Sequence, residues 1–256
     1  MNQSFFIGAV GAHQQLKRLN LHANNIANVN TAGFKAGKSR FGHLIYQDLK
    51  AAGEVMEPSG VGGILWTSAT DHSRGGAMDT GNETDFMIAG DGYFALVELT
   101  TGAVTYTRSG AFYAAQLVEP TGEVDEEGNP LLDENGEPLT EVNYYLSDGE
   151  GRFVLNEDGA LIPMVNGRFE EKPGVFDYIN YDGMTHNEES RLINVEKNGG
   201  LRRGDSEILQ GVLEMSNADL AEEMTKVIES QRAYSMALKM VQASDEIEST
   251  IIGLRN

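Results

Sequence analysis

Near the start of the chain, apolar residues recur at alternating steps of four and three. Phe5, Ala9, Ala12, Leu16, Leu19, Ala23 and Ile26 keep the spacing 4, 3, 4, 3, 4, 3. This is a narrow a/d stripe, not the broad apolar face of a helix lying on a globular core. It predicts a helix from about Phe5 to Asn28, roughly 35 Å long at 1.5 Å per residue. The last segment repeats the pattern at Leu220, Met224, Val227, Gln231, Tyr234, Leu238 and Val241. Beyond them the stripe shifts by one onto Met240, Ile247, Ile251 and Leu254, as a 3.6-residue turn drifts against a seven-residue repeat. Ser216, Asn217 and Asp219 are candidate N-caps, and acids fill the first turn. This second helix would reach about 50 Å.

Between the stripes the pattern changes. TDFMIAGDGYFALVEL and GAVTYTRSGAFYAA are short β-branched and aromatic runs, split by Gly-Asp-Gly and Thr-Gly, and predict hairpins. GRFVLNEDGALIPMVNGRF repeats the arrangement, with Asp158-Gly159 and Asn166-Gly167 as turns. The expected class is α+β. N- and C-terminal helices pair as a coiled-coil-like unit, and the centre is an antiparallel β-rich domain. Residues 1–40 with 210–256 form the helical assembly domain, 41–79 an extended linker, and 80–209 the β-rich domain with an acidic insertion at 114–150.

Composition adds three constraints. The 256 residues suffice for one large domain or two modest ones, and there is no cysteine for disulfide or thiolate chemistry. A net charge of −20 argues against a nucleic-acid partner. The charge is uneven: residues 1–50 carry six Lys/Arg against one acid, and residues 114–150 carry eleven acids and no base. No apolar run has transmembrane length, which argues against membrane insertion, and the N-terminus lacks the basic region of a cleaved signal peptide. Within the acidic stretch, DEEGNPLL and DENGEPLT repeat D-E-x-G-x-P-L, but Pro130 and Pro138 stand where a calcium loop needs glycine. Two surface turns in a solvated excursion are the expectation.

The residues that carry chemistry are absent or scattered. His13, His22, His43, His72 and His186 lie at no metal-ligand spacing, and there is no P-loop, nucleophile elbow or dinucleotide fingerprint. No catalytic residue, cofactor or metal is therefore assigned. A glycan hydrolase using two central carboxylates is the rival from another class, since 39 acids supply chance pairs.

ANNIANVNTAGFK (23–35) resembles the N-terminal signature of bacterial flagellar axial proteins, the rod and hook family. TGNETDFMIAGDGYF (80–94), YTRSGAF (106–112) and LQGVLEMSNADLAEEMTKVIESQRAY (209–234) resemble further motifs of that family, in the family's order. The resemblance implies a structural basal-body rod subunit of proximal- or distal-rod type, with a hook or cap component of the same family as the alternative. It implies helical self-assembly through the terminal helices, an outward β domain and torque transmission. The implied partners are copies of itself, other rod and hook proteins and the flagellar export apparatus, with type III export and no cleaved signal. The long stretch 114–150 departs from the family pattern, as does Ser235-Met236 after QRAY.

The expected assembly interface follows from the stripes and from that resemblance. It comprises Leu16, Leu19, Ile26, Leu220, Met224, Val227 and Leu238 as apolar contacts. Asn24, Asn25, Asn28 and Asn30 are expected to bind backbone at the helix end, since their amides both donate and accept. Gly33 turns the chain and Phe34 anchors it, while Gln231, Arg232 and Tyr234 are contact residues that set register.

Overall fold

The structure, a computed structural model, describes residues 3–43, 47–50, 56–59, 63–120, 140–181, 184–186, 192–193 and 196–255. The chain forms two compact units. The first draws on Met1–Asn30, Lys35–Ser73 and Ser216–Asn256, and the second on Thr31–Phe34 and Arg74–Met215.

In the first unit, α1 (Gln3–Ala27) and α2 (Leu220–Arg255) pack antiparallel. Arg18 faces Glu229 at 3.5 Å, and four residues further along α1 His22 meets Glu223 at 2.5 Å. Asp219 is the N-cap of α2: its Oδ1 accepts from Ala221 N at 2.8 Å and Glu222 N at 3.3 Å. Asn217, also a candidate, is used elsewhere. At the end of α1, Asn28 closes the last turn through its backbone and side-chain amides, both donating to Asn24 O. The span read as an extended linker carries strands. β1 (Gly37–His43) pairs antiparallel with β4 (Gly63–Thr70), with an irregularity between Lys38 and Arg40, and β2 (Gln47–Lys50) pairs with β3 (Met56–Ser59).

The second unit is antiparallel β. Its strands are β5 (Ala77–Asp79), β6 (Phe86–Ile88), β7 (Tyr93–Glu98), β8 (Val104–Thr107), β9 (Tyr113–Pro120), β10 (Thr140–Ser147), β11 (Arg152–Val154) and β12 (Met164–Val165). They continue with β13 (Arg168–Phe169), β14 (Val175–Tyr178), β15 (Thr185–His186), β16 (Leu192–Ile193), β17 (Leu201–Arg203), β18 (Ile208–Gln210) and β19 (Val212–Glu214). The main sheet runs β15-β16-β8-β7-β11-β10-β9, with β14 joining β7 to β17. Alternate residues of β7 face opposite sides, so one strand serves two cores. Phe94 and Leu96 pack with Phe86, Phe112 and Val154, while Tyr93 and Ala95 pack with Tyr106, Phe176 and Tyr178.

The hairpins at Thr101-Gly102 (β7–β8) and Asn166-Gly167 (β12–β13) form as the turn residues predict. Asn166 and Gly167 have φ of 51° and 79°, the left-handed pair of a type I′ turn. The Gly-Asp-Gly at 90–92 does not close one. β6, whose three residues are all buried, leaves the sheet and pairs with β18, and β5 pairs with β19. The two ends of the acidic stretch are the strands β9 and β10. They are paired without a break from Tyr113–Ser147 to Pro120–Thr140, while residues 121–139, which hold nearly all of the acidic repeat, lie outside the described residues.

Candidate assembly surface

The α1–α2 contact uses few large apolar side chains. Among the described residues, the fully buried positions of α1 are Gly8, Ala12, His22 and Asn25, and those of α2 are Glu223, Ser230 and Ser244. Small residues let the backbones approach: a Cβ on Gly8 would lie 2.9 Å from Val241 Cγ2. The packed column of α1 runs through 8, 12, 15, 19, 22 and 26, and that of α2 through 223, 227, 230, 234, 237, 241 and 244. Both are 4-3 repeats, yet neither is the stripe read from the sequence. Each shares only one file with it: Ala12, Leu19 and Ile26 on α1, and Val227, Tyr234 and Val241 on α2.

The other file of each stripe faces away from the partner helix. Ala9, Leu16 and Ala23 are exposed on α1, and Met224, Gln231 and Leu238 on α2; Phe5 and Leu220, at the N-terminal ends of the shared files, are exposed too. Leu16 is 42% exposed and Met224 53%. Further along α2, Met236, Met240, Ile247, Ile251 and Leu254 are exposed as well. A helix pair that spends its small and polar residues on its own contact and leaves Phe, Leu, Met and Ile in water presents a large apolar surface. Between the two faces, Gln15, Leu16, Leu19, Val227, Gln231 and Tyr234 line a groove of about 380 Å³.

The asparagines divide. Asn25 is wholly buried, and its amide is spent within the chain: Nδ2 donates to Gly37 O at 3.0 Å and Oδ1 accepts from Gly37 N at 2.9 Å. It supports β1 and presents nothing outward. Asn24 and Asn30 are exposed and Asn28 is half-buried, and Arg232 is exposed beside Gln231. Asn217 fixes the neighbouring peptide, with Oδ1 accepting from Ala36 N at 2.7 Å and Nδ2 donating to Asp71 O at 2.8 Å.

Near that end of α1 lies a charged cluster that sequence reasoning did not assemble. Burial pushes the Glu223 carboxyl up, but hydrogen bonds from His22, Asn25 and Lys226 outweigh it and hold the carboxyl below the usual carboxylate range. Lys226 also pairs with Glu222 at 2.8 Å. A histidine and a glutamate 201 residues apart give no local signal of their meeting.

Gly33 and Phe34 sit in the second unit. Gly33 has φ of 69°, and a Cβ there would lie 2.1 Å from Ser109 N. Its N–H donates to Glu214 O at 2.7 Å, and Phe34 is buried. The Glu214 side chain forms a buried ion pair with Arg108 at 3.1 Å and accepts from Gly75 N at 2.9 Å. Arg108 donates to Gly90 O at 2.8 Å and lies over the Tyr93 ring. Arg108 and Glu214 come from two of the motifs quoted above, but nothing in their spacing pairs them.

Two family models match the segments that build these features. "Flagella basal body rod protein" covers residues 7–35, and "Flagellar basal body rod FlgEFG protein C-terminal" covers 209–254. The flagellar basal-body rod protein FlgG of Bacillus subtilis is 30% identical over all of both chains. The chain belongs to the flagellar basal-body rod protein family. FlgG of Buchnera aphidicola from Acyrthosiphon pisum is also 30% identical, over 96% of this chain and 97% of its own. The flagellar hook-basal body complex protein FlhP of Bacillus subtilis is 25% identical over both full lengths. In this rod-family chain, the first matched segment holds the outward file of α1 and the Gly33 turn, and the second holds Glu214, Asn217 and the outward file of α2.

Proposed function

We propose that this chain is a structural subunit of the bacterial flagellar basal-body rod and that it polymerises through the outward files of α1 and α2. The observation that carries the reading is the division of labour on the helix pair. The intrachain contact consumes glycine, alanine, serine and the His22–Glu223 pair, while Leu16, Leu220, Met224 and Leu238 are left for neighbours. Each buried CH₂ contributes about 0.8 kcal/mol, so a few such side chains per subunit, repeated along a stack, hold a stiff polymer. The antiparallel pair then acts as a coiled-coil-like assembly unit, and torque passes along the packed helices.

In this reading the neighbours are copies of the chain and other rod or hook proteins. The chain reaches its place in the basal body through the flagellar export apparatus without a cleaved signal, and it has no enzymatic step and no cofactor. Asn24, Asn28, Asn30, Gln231 and Arg232 act at the subunit contact, and Asn25, Gly33 and Phe34 act within the chain. The test is genetic and structural. Cells lacking the chain should fail to complete the rod, and an affinity-tagged copy should appear in the rod density of isolated basal bodies. Intact basal bodies in its absence would refute the proposal.

A further inference from the structure

The first unit carries a basic cavity of about 250 Å³ beside the helix pair. Arg18, Lys38, Arg40 and Lys226 line it with His22, and no acid does. The acids that balance three of these cations are not part of the lining: Glu229 pairs with Arg18, Asp71 with Lys38 at 2.7 Å, and Glu222 and Glu223 with Lys226. His22 is 3% exposed. Its Nδ1 meets Glu223, which does not line the cavity, and its Nε2 is buried with no hydrogen-bond partner. A buried polar atom without a partner is costly, and in a native fold it calls for an explanation. With Nδ1 turned to Glu223, Nε2 is the ring nitrogen left for a ligand. A cavity walled by two guanidiniums and two ammoniums, with His22 in its lining, has the chemistry of a carboxylate receptor.

We propose that this cavity receives a carboxylate side chain from a second copy of the chain. The inference rests on the self-assembly reading and names one polar contact within it. Copies of net charge −20 repel one another, so a stack of them needs places where a neighbour's acid is met by cations. The cavity is such a place, on the same helix pair as the outward apolar files, and the buried His22 makes it specific in geometry and not merely basic.

Imidazole signals of the full-length chain test this in two arms. In dilute, unassociated protein, acetate replacing chloride at constant ionic strength should shift His22 saturably, while the other four histidines stay still. Arg40→Ser, at an exposed position, should weaken that binding about tenfold, the worth of one charge-assisted hydrogen bond. In the second arm the concentration is raised without acetate. His22 should then move in the same direction in the sedimented assembly, and Arg40→Ser should raise the concentration needed for assembly by a similar factor. No acetate response at His22 overturns the site. An acetate response with His22 unmoved on assembly overturns the second copy as occupant and leaves a small-carboxylate site. A chain that never associates at high concentration defeats the assembly reading and removes the second copy with it, while the acetate arm still reports whether the cavity binds carboxylates.

Discussion

Asn25 and Asn217 hold consecutive peptides of one strand entry. Asn25, in the last turns of α1, grips both the N–H and the C=O of Gly37, and Asn217, just before α2, accepts from the N–H of Ala36. Both contacts need a short side chain that donates and accepts at once, which is what asparagine offers. This answers part of why asparagines crowd the end of a helix.

Asn25→Ala should therefore act on the fold before it acts on assembly. It leaves the half-buried Gly37 N–H and C=O without the Asn25 amide, a loss of about 1–3 kcal/mol. Thermal melts of the unassociated chain should show a clear drop for Asn25→Ala. Asn28→Ala removes an exposed bond to Asn24 O at the helix end and should cost about 1 kcal/mol or less. Equal melting for the two variants would contradict this division.

Much of the architecture was legible in the residues, and the misses share a cause. Helix positions follow from periodicity and the hairpins at 101–102 and 166–167 from turn residues, because those signals are local. The stripes, whose expected role is contact with other subunits, do not mark the contact between the two helices. The sequence displays its large apolar residues most plainly, and in this chain those are the ones facing outward, while glycine, serine and histidine make the intrachain contact. Pairings of high sequence separation, such as β6 with β18 or His22 with Glu223, leave no periodic trace. Arg108 and Glu214 stood inside recognisable motifs, but a charge in a motif does not say which charge answers it.

Replacing Arg108 with methionine should destabilise the β unit by about 3–5 kcal/mol, since it strands a buried glutamate. Hydrogen exchange of peptides covering β6 and β7 reports it, with protection expected to fall there. Adding Glu214→Gln should return part of the loss, because no buried charge is then left unpaired. A wild-type exchange pattern in Arg108→Met would show that the pair is not a support.

Gly33→Ala forces a side chain into the left-handed region, costing about 1–2 kcal/mol for the backbone alone, and drives its Cβ against Ser109. Exchange protection should drop around 104–112, with α-helical circular dichroism unchanged. An unaffected exchange pattern would mean that the 31–34 segment is not held as described.

The lowered pKa of Glu223 has a signed consequence. Its folded value lies below the ordinary 4.5, so its contribution to stability is complete above that pH and is lost as pH falls through the folded value. Glu223→Gln should lower the melting temperature at pH 7, and the difference from wild type should shrink on acidification below about 4.5. A difference that stays constant down to pH 2 would contradict the linkage.

The most direct test of assembly through the outward files is sedimentation velocity of the full chain over rising concentration, comparing wild type with Leu16→Ser/Met224→Ser. Both replaced side chains are exposed in the unassociated chain, so melting should be unchanged. The account predicts that wild type shifts to large, fast-sedimenting polymers while the double variant stays monomeric at the same concentrations. A wild-type chain that remains a monomer throughout, or a variant that polymerises equally well, would contradict it.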